Sequence, residues 1–409
     1  MLSFEHTTLD NGLTIIAETN AAAASLAAGF FVRTGSRDET PDVAGVSHFL
    51  EHMVFKGTER RSAFDVNLEF DRMGANYNAF TSEENTVYFA AVLPDFQDAA
   101  LDLLGDMLRP SLRAEDFELE KNVIADEIAR YEDLPTFRCY EKTMAAHFAG
   151  HPLGNSVLGT PESIRQVTRD QMQAYFDRRY SPTNVTVVGV GQIDFETFAA
   201  KVDAACGHWT PYDAPRDTSQ PSPGAGRHVM TDGRINREHI AVMSPAPTCQ
   251  DEARYAAQLA AAVMGDTTGS RLYYALVEPA LADEAHMSYD PFDHAGAFLT
   301  FISTDPDRTA QVLDIVNDVC ARFRAEGPTE AELLAAKNKI ATAATVKGEL
   351  PMGRLTSVGF EWVYRREYVP LADDIAAMFA VTADDVRDVV ARYDMTAATI
   401  LALGPLEAI

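Results

Sequence analysis

The sequence predicts an α+β protein made of two structurally similar domains joined by an irregular connection. Three observations carry this reading. The chain has 409 residues, 46% of them hydrophobic and 23% charged, which is enough for two or three domains with their own cores and unlike disordered or fibrous chains. Residues 210–226, TPYDAPRDTSQPSPGAG, hold four prolines, two glycines and almost no apolar periodicity, the pattern of an exposed connection. On either side of it, strand-like runs are followed by long helical stretches. The expected division is a domain over 1–210, a linker over 211–228 and a second domain over 229–409. Each domain should be a mixed or antiparallel sheet with helices packed on one side, and the shared plan suggests duplication.

In the first half, residues 13–18 and 26–33 are apolar and β-branched and read as strands. Segments 76–81 and 86–92 read likewise, and Ser82-Glu83-Glu84-Asn85 between them suits a hairpin. Helical periodicity follows over 95–108 and 114–132, then a strand over 184–190. The second half repeats the theme with a strand at 238–243, a helix at 251–264, a strand at 297–303 and a helix at 307–325.

The balance of charge narrows the function. With 34 basic against 61 acidic residues the net charge is −27, which argues against nucleic acid and anionic membranes as partners. Cys139, Cys206, Cys249 and Cys320 are scattered and form no Cys-x-x-Cys pair, so neither a disulfide framework nor a thiolate metal site is expected. The first residues, MLSFEH, lack the basic and apolar runs of a secretory signal. The longest weakly polar stretch, 21–32, falls short of the ~20 residues that span a bilayer. A cytoplasmic location without membrane attachment is the expectation.

The sharpest local signal is His48-Phe49-Leu50-Glu51-His52. It lies in a helical stretch, 43–55, closed by Gly57. Residues at i and i+4 share a helix face, so both imidazoles can reach one ion, with Glu51 flanking it. Zinc held by two imidazoles and a carboxylate keeps a position for water, and an unligated glutamate nearby can take a proton and return it to a leaving amine. The spacing is that of the inverted zinc-hydrolase motif.

Two histidines leave the site open, and segment 114–132 offers the missing donor. Phe117, Glu120, Ile124, Glu127 and Tyr131 recur at intervals of three and four as one stripe. Carboxylates within an apolar stripe are costly to bury unless a cation or a good pair meets them. Glu120 and Glu127 are two turns apart, so one can ligate while the other supports the site. Two other features carry less. His147 and His151 are four apart, but Gly150 and Pro152 around His151 favour a loop or packing role. Gly265 and Gly269 flank a turn without the Lys-Ser/Thr end of a phosphate loop.

Together these residues resemble the M16 metallopeptidases, the family of pitrilysin, insulin-degrading enzyme and the mitochondrial processing peptidase. Segments 74–82 (GANYNAFTS), 151–160 (HPLGNSVLGT) and 269–272 (GSRL) agree with it, more strongly in the first half than in the second. The length resembles the family's short-chain bacterial branch, in which two chains of two domains enclose a clam-like chamber. The resemblance implies a zinc-dependent endopeptidase acting on extended or unfolded peptides. It implies one Zn²⁺ per chain on His48, His52 and Glu127, Glu51 as general base, and Glu120 as the supporting glutamate. Asn78, Ala79, Phe80, Thr81 and Ser82 match the strand whose edge accepts the substrate backbone, which is strand addition to a sheet.

One departure stands out. An arginine and a tyrosine seven residues apart usually follow the Ser-Arg-Leu segment in this family and clamp the substrate. In register, Val277 and Glu284 take their places. Valine donates no hydrogen bond, and an ionised glutamate repels an oxyanion; Tyr289 or Arg271 are candidate substitutes. The loss motivates the expectation of a dimer, with a heterodimer partner of M16-like type supplying the arginine–tyrosine pair and a homodimer as the rival. A non-catalytic scaffold or peptide-binding subunit is the alternative function, and a zinc amidase acting on small substrates a second.

Overall fold

In the computed structural model, which describes residues 2–409, the chain runs β1 (Leu2–Thr8), β2 (Thr14–Asn20), β3 (Leu26–Val32), α1 (Val46–Val54), α2 (Ala63–Met73), β4 (Asn76–Thr81), β5 (Thr86–Val92), α3 (Gln97–Met107) and α4 (Ala114–Glu132). It continues through α5 (Pro135–His147), α6 (Pro161–Gln166), α7 (Arg169–Arg179), β6 (Val185–Gly191) and α8 (Phe195–Cys206). The second half holds β7 (Gly226–Thr231), β8 (Glu238–Pro245), α9 (Arg254–Gly265), β9 (Ala282–Phe292), β10 (Ala295–Thr304), α10 (Thr309–Glu326), α11 (Glu330–Gly348), α12 (Pro351–Arg365), α13 (Leu371–Ala380), α14 (Ala383–Arg392) and β11 (Thr399–Gly404). No described helix is long and apolar enough to cross a membrane.

The two sheets share one topology. The first has the order β1-β2-β6-β3-β5-β4 and the second β7-β11-β8-β10-β9. In each, the first strand of the common set lies parallel to the last, β2 with β6 and β7 with β11, and every other pairing is antiparallel. β1 is an extra edge strand on the first sheet. The architecture is α+β with two similar domains, and apart from β1 the two sheets repeat one plan strand for strand.

The packing divides the chain differently from a single cut near residue 210. One compact unit comprises 1–129, 155–217 and 346–369; the other comprises 130–154, 218–345 and 370–409. α5 therefore belongs with the second sheet, and α12, its counterpart in the repeat, with the first. The reason lies in side chains. Leu355, Val358 and Val363 of α12 are buried in one cluster with Ile16, Phe31, Val87 and Val188 of the first sheet. Arg354 of α12 pairs with Glu18 of β2 at 2.8 Å, and Tyr368 donates to the same carboxylate at 2.8 Å. In the second unit, Cys139 lies with Ala241, Phe301 and Leu401, and Met144 with Met243 and Ala297.

The proline-rich connection is mostly exposed, but it is tied down at two points. It is irregular up to β7, but Arg216 is buried and pairs with Asp38 at 2.7 Å, and Tyr212 donates to the Phe176 carbonyl at 3.1 Å. Such anchors lie far away in sequence and carry no local signal.

Gly359 shows how closely α12 approaches its sheet. A Cβ there would lie 2.2 Å from the ring of buried Phe31. Helix propensity favours a larger residue over glycine by ~1 kcal/mol at most, whereas overpacking a core costs typically ~1–3 kcal/mol. Gly359→Val should therefore destabilise the protein by about 2 kcal/mol, read as a lower urea midpoint with an unchanged denaturant slope.

Candidate metal centre

α1 is placed from upstream. Gly45, its N-cap, adopts φ +88°, and a Cβ there would meet the Leu158 carbonyl oxygen at 2.7 Å, so this entry to the helix requires glycine. The first turn lacks a side-chain cap from its own N-cap residue. Instead the buried carboxylate of Glu39 accepts from the Gly45 and Ser47 amides, both at 2.7 Å, satisfying amides a helix start leaves open. Burial pushes Glu39 up to about 7 against the pull of those hydrogen bonds. Phe49, Leu50, Met53 and Val54 then fix the inner face of α1 in the core.

That anchoring turns His48 and His52 to the same side, rings 4.7 Å apart and edge-on. α4 faces them. Of its stripe, Phe117, Glu120 and Ile124 are buried while Glu127 and Tyr131 are half-buried, and Ile128 beside them also lies in the interior. Glu127 Oε2 lies 3.4 Å from His52 Nε2 and 3.8 Å from His48 Nε2. The three side chains offer donor atoms that all lie within 4.8 Å of one another, the one such group of His, Cys, Asp and Glu among the described residues. Donors sharing one tetrahedral ion at ~2.0–2.1 Å lie roughly 3.3 Å apart; the two carboxylate–imidazole distances are already within about half an ångström of that, and the set as a whole, which spans up to 4.8 Å, closes on a small divalent cation with movements of roughly 1.5 Å at most. Two imidazole nitrogens and a carboxylate oxygen are the donor chemistry zinc takes.

The supporting contacts are asymmetric. His52 Nδ1 pairs with Glu120 Oε1 at 2.8 Å, and Lys56 Nζ lies 2.5 Å from Glu120 Oε2. Glu120 is only 3% exposed. Burial works to raise its pKa, but the hydrogen bonds from His52 and Lys56 outweigh it and hold the carboxyl below the usual range. Burial likewise opposes charge on His52, yet its hydrogen bonds to Glu120 and Glu127 push it up to about 9. His48 has no such help. Its Nδ1 is buried without a hydrogen-bond partner, and burial together with the His52 charge brings it down to about 4.

Glu51 falls outside the donor group. Its Oε2 accepts from the Thr81 hydroxyl at 2.6 Å, and burial raises its pKa above the ordinary value. Thr81 ends β4, which forms the free edge of the first sheet. Ser82 N–H bonds the Asn85 carbonyl at 2.8 Å, so by antiparallel alternation Ala79 and Thr81 turn their backbone groups outward from β5. Asn78 Oδ1 accepts from the Ala79 amide at 2.9 Å. Phe80 points to the opposite face, towards Phe89 and Phe360, and Ser82 lies in the hairpin turn.

Sequence reasoning missed Lys56 and Glu39. Lys56 continues the i, i+4 series of His48 and His52, a signal that could have found it. Glu39 left none, because it caps the helix from six residues before the first amide it meets. The pair set aside as a second metal site is structural: His147 Nδ1 meets Thr399 Oγ1 at 3.1 Å and His151 Nε2 meets the Ser219 carbonyl at 3.0 Å. In the second unit, α9 occupies the place of α1 and carries Ala256, Ala257, Leu259, Ala260 and Met264 in its core with no histidine. Val277 closes a short π-helical turn and Glu284 lies on β9. Both candidate substitutes for the clamp are engaged: Arg271 pairs with Glu332 at 2.7 Å, and Tyr289 donates to the Pro247 carbonyl at 2.9 Å.

Comparison with known proteins agrees with this division. Residues 14–161 match the family model described as insulinase (peptidase family M16), and residues 166–340 match that of the peptidase M16 inactive domain. An uncharacterized zinc protease of Streptomyces coelicolor is 32% identical over 414 residues, covering 98% of this chain and 89% of the relative. One of Mycobacterium tuberculosis is 31% identical over 394 residues, covering 95% and 90%. The fold is similar to that of a protease from Helicobacter pylori, with TM-score 0.91 at 20% identity over 99% of this chain and all of the other.

Metal binding should carry a definite pH dependence. With pKa values of about 4 for His48 and about 9 for His52, only His52 holds a proton near neutrality, and a ligand nitrogen must lose it. Affinity should therefore fall roughly tenfold for each unit of pH lost below about 8. Competition titrations with a chromogenic chelator check the slope. Calorimetry in buffers of different ionisation heat should give one proton released per ion.

Proposed function

Because the chain belongs to the M16 peptidase family, we propose that it is a zinc-dependent endopeptidase hydrolysing extended or unfolded peptides. The observation that carries this reading is the convergence of His48, His52 and Glu127 with Glu51 beside them and outside the donor group. A scaffold has no need of three metal donors and a separate buried base.

His48 and His52 would hold one zinc ion per chain together with Glu127. When bound, the ion would polarise the scissile carbonyl and acidify the attacking water. Glu51 takes the proton from that water and passes it to the leaving amine. Burial disfavours its charged form, so it is primed to hold the proton between the two transfers, and Thr81 fixes one of its oxygens. Glu120 keeps the His52 ring in one orientation, with Lys56 holding the other carboxylate oxygen. Asn78 to Ser82 receive the peptide as an added strand through the outward backbone groups of Ala79 and Thr81. Main-chain recognition of this kind tolerates many sequences and requires an extended chain.

The reading extends to assembly. Val277 and Glu284 cannot supply a donor pair, and Arg271 and Tyr289 are already bonded within their own unit. The chain then works as the metal-bearing subunit of a dimer with a clam-like chamber, in which an M16-like partner brings the arginine and tyrosine. Its four buried cysteines are free thiols, which supports a reducing compartment, the cytoplasm.

Glu51→Gln should keep stoichiometric zinc while losing peptide hydrolysis by roughly 10²–10⁴-fold; zinc by atomic absorption and cleavage by mass spectrometry decide it, and unchanged cleavage removes Glu51 as the base. The purified chain alone should cleave unfolded peptides weakly and gain in kcat/KM when a family member bearing the arginine–tyrosine pair is added. Full activity without a second polypeptide discards the heterodimer.

A further inference from the structure

The turn that follows β4 is held in a way a hairpin tip does not need for its own stability. Such turns ordinarily lie in water with their polar side chains solvated. Here Glu84 is 1% exposed and Asn85 0%. Ser82 Oγ and the Ser82–Asn85 main-chain bond close the turn locally, yet three distant segments also grip it. Arg37 Nη1 donates to Glu84 Oε1 at 2.7 Å, and the Arg37 amide donates to the Glu83 carbonyl at 2.8 Å. Arg216, from the proline-rich connection, donates to the Glu84 carbonyl while paired with Asp38. Tyr364, from α12, donates its hydroxyl to Glu84 Oε2 at 2.9 Å and accepts from Asn85 Nδ2 at 2.6 Å. Gly35 approaches so closely that a Cβ would lie 2.2 Å from the Ser82 carbonyl oxygen.

A buried ion pair is weak evidence of stability, because desolvation offsets most of its attraction. What it does supply is a fixed position, since a buried charge has few places where its partners are satisfied. The position fixed here is that of the turn after β4, whose gripped groups on Glu83 to Asn85 lie two to four residues past Thr81, the residue whose hydroxyl holds Glu51. An edge strand has neighbours on one side only and is among the most mobile parts of a sheet. A strand that must accept a peptide in one register beside a metal centre cannot be left so. The geometry points to Tyr364 as a positioning residue for the peptide-accepting edge: through Glu84 and Asn85 it clamps the β4–β5 turn, so that a helix from the far end of the sequence sets how well an extended peptide docks. This rests on the reading of β4 as the accepting strand.

The test separates the two ideas. Hydrogen exchange of the full-length, metal-free chain needs no substrate. Tyr364→Phe should speed amide exchange within 76–86 by about fivefold or more and leave β6 unchanged. In a zinc-loaded Glu51→Gln background, a fluorescent unstructured peptide of about twelve residues should bind roughly 3–10-fold more weakly when Tyr364→Phe is added, with zinc affinity unaltered. Glu84→Gln should act in the same direction, and combining it with Tyr364→Phe should add little further. If Tyr364→Phe does not fold, Glu84→Gln alone carries both measurements. Unchanged exchange within 76–86, or a peptide affinity that moves only together with zinc affinity, overturns the positioning role. Peptide binding absent even in Glu51→Gln would count against the substrate strand alone, and the exchange result would still decide the clamp.

Discussion

A carboxylate that stays ionised in the protein interior needs compensating charge or strong hydrogen bonds, and at Glu120 that requirement organises the metal centre. Glu120 projects from the apolar stripe of α4 into the space beneath α1, where His52 and Lys56 reach it. Both come from α1 or its end, at successive four-residue steps. The satisfaction of one buried charge thus fixes the rotation of α1 against α4, and with it the direction of both imidazoles. Glu127, two turns further along α4, then comes to face the two Nε2 atoms. A protonated His52 can donate from Nδ1 to Glu120 and from Nε2 towards Glu127, and those two carboxylates are what raise its pKa.

Much of this could be read before any coordinates. The i, i+4 histidines and the seven-residue interval between Glu120 and Glu127 are helical arithmetic, and α4 has the bounds the periodicity gave. Strands β2 to β6 and β8 and β10 were legible as short strand-like runs bounded by turn residues. β1, β7, β9 and β11 were not. β1 pairs on one side only and buries little, so its sequence lacks an apolar run, while β9 carries Asp283, Glu284 and Asp290 among its apolar residues. The burial of Glu84, Arg37 and Arg216 was equally hidden, because charged residues in a loop announce solvent, not one another.

The unit boundaries expose a different kind of blindness. A proline-rich segment looks like a divider, and the helices on each side look like members of their own half. α5 and α12 contradict that impression together, each lying with the sheet of the other half, at corresponding places in the repeat. Periodicity states which face of a helix is apolar. It does not state which of two similar sheets that face will cover, and where a duplication supplies two nearly equivalent surfaces the choice is made by particular pairs such as Gly359 with Phe31 and Arg354 with Glu18.

That exchange of helices also has a temporal meaning. A ribosome adding about 5–20 residues per second needs on the order of 10–30 s to travel from residue 217, where the first sheet is complete in strands, to residue 369, where its covering helix has been made. Until then the first sheet lacks the helix that covers it, so the apolar surface buried by Leu355, Val358 and Val363 stays open and the β4–β5 turn is without its contact to Tyr364.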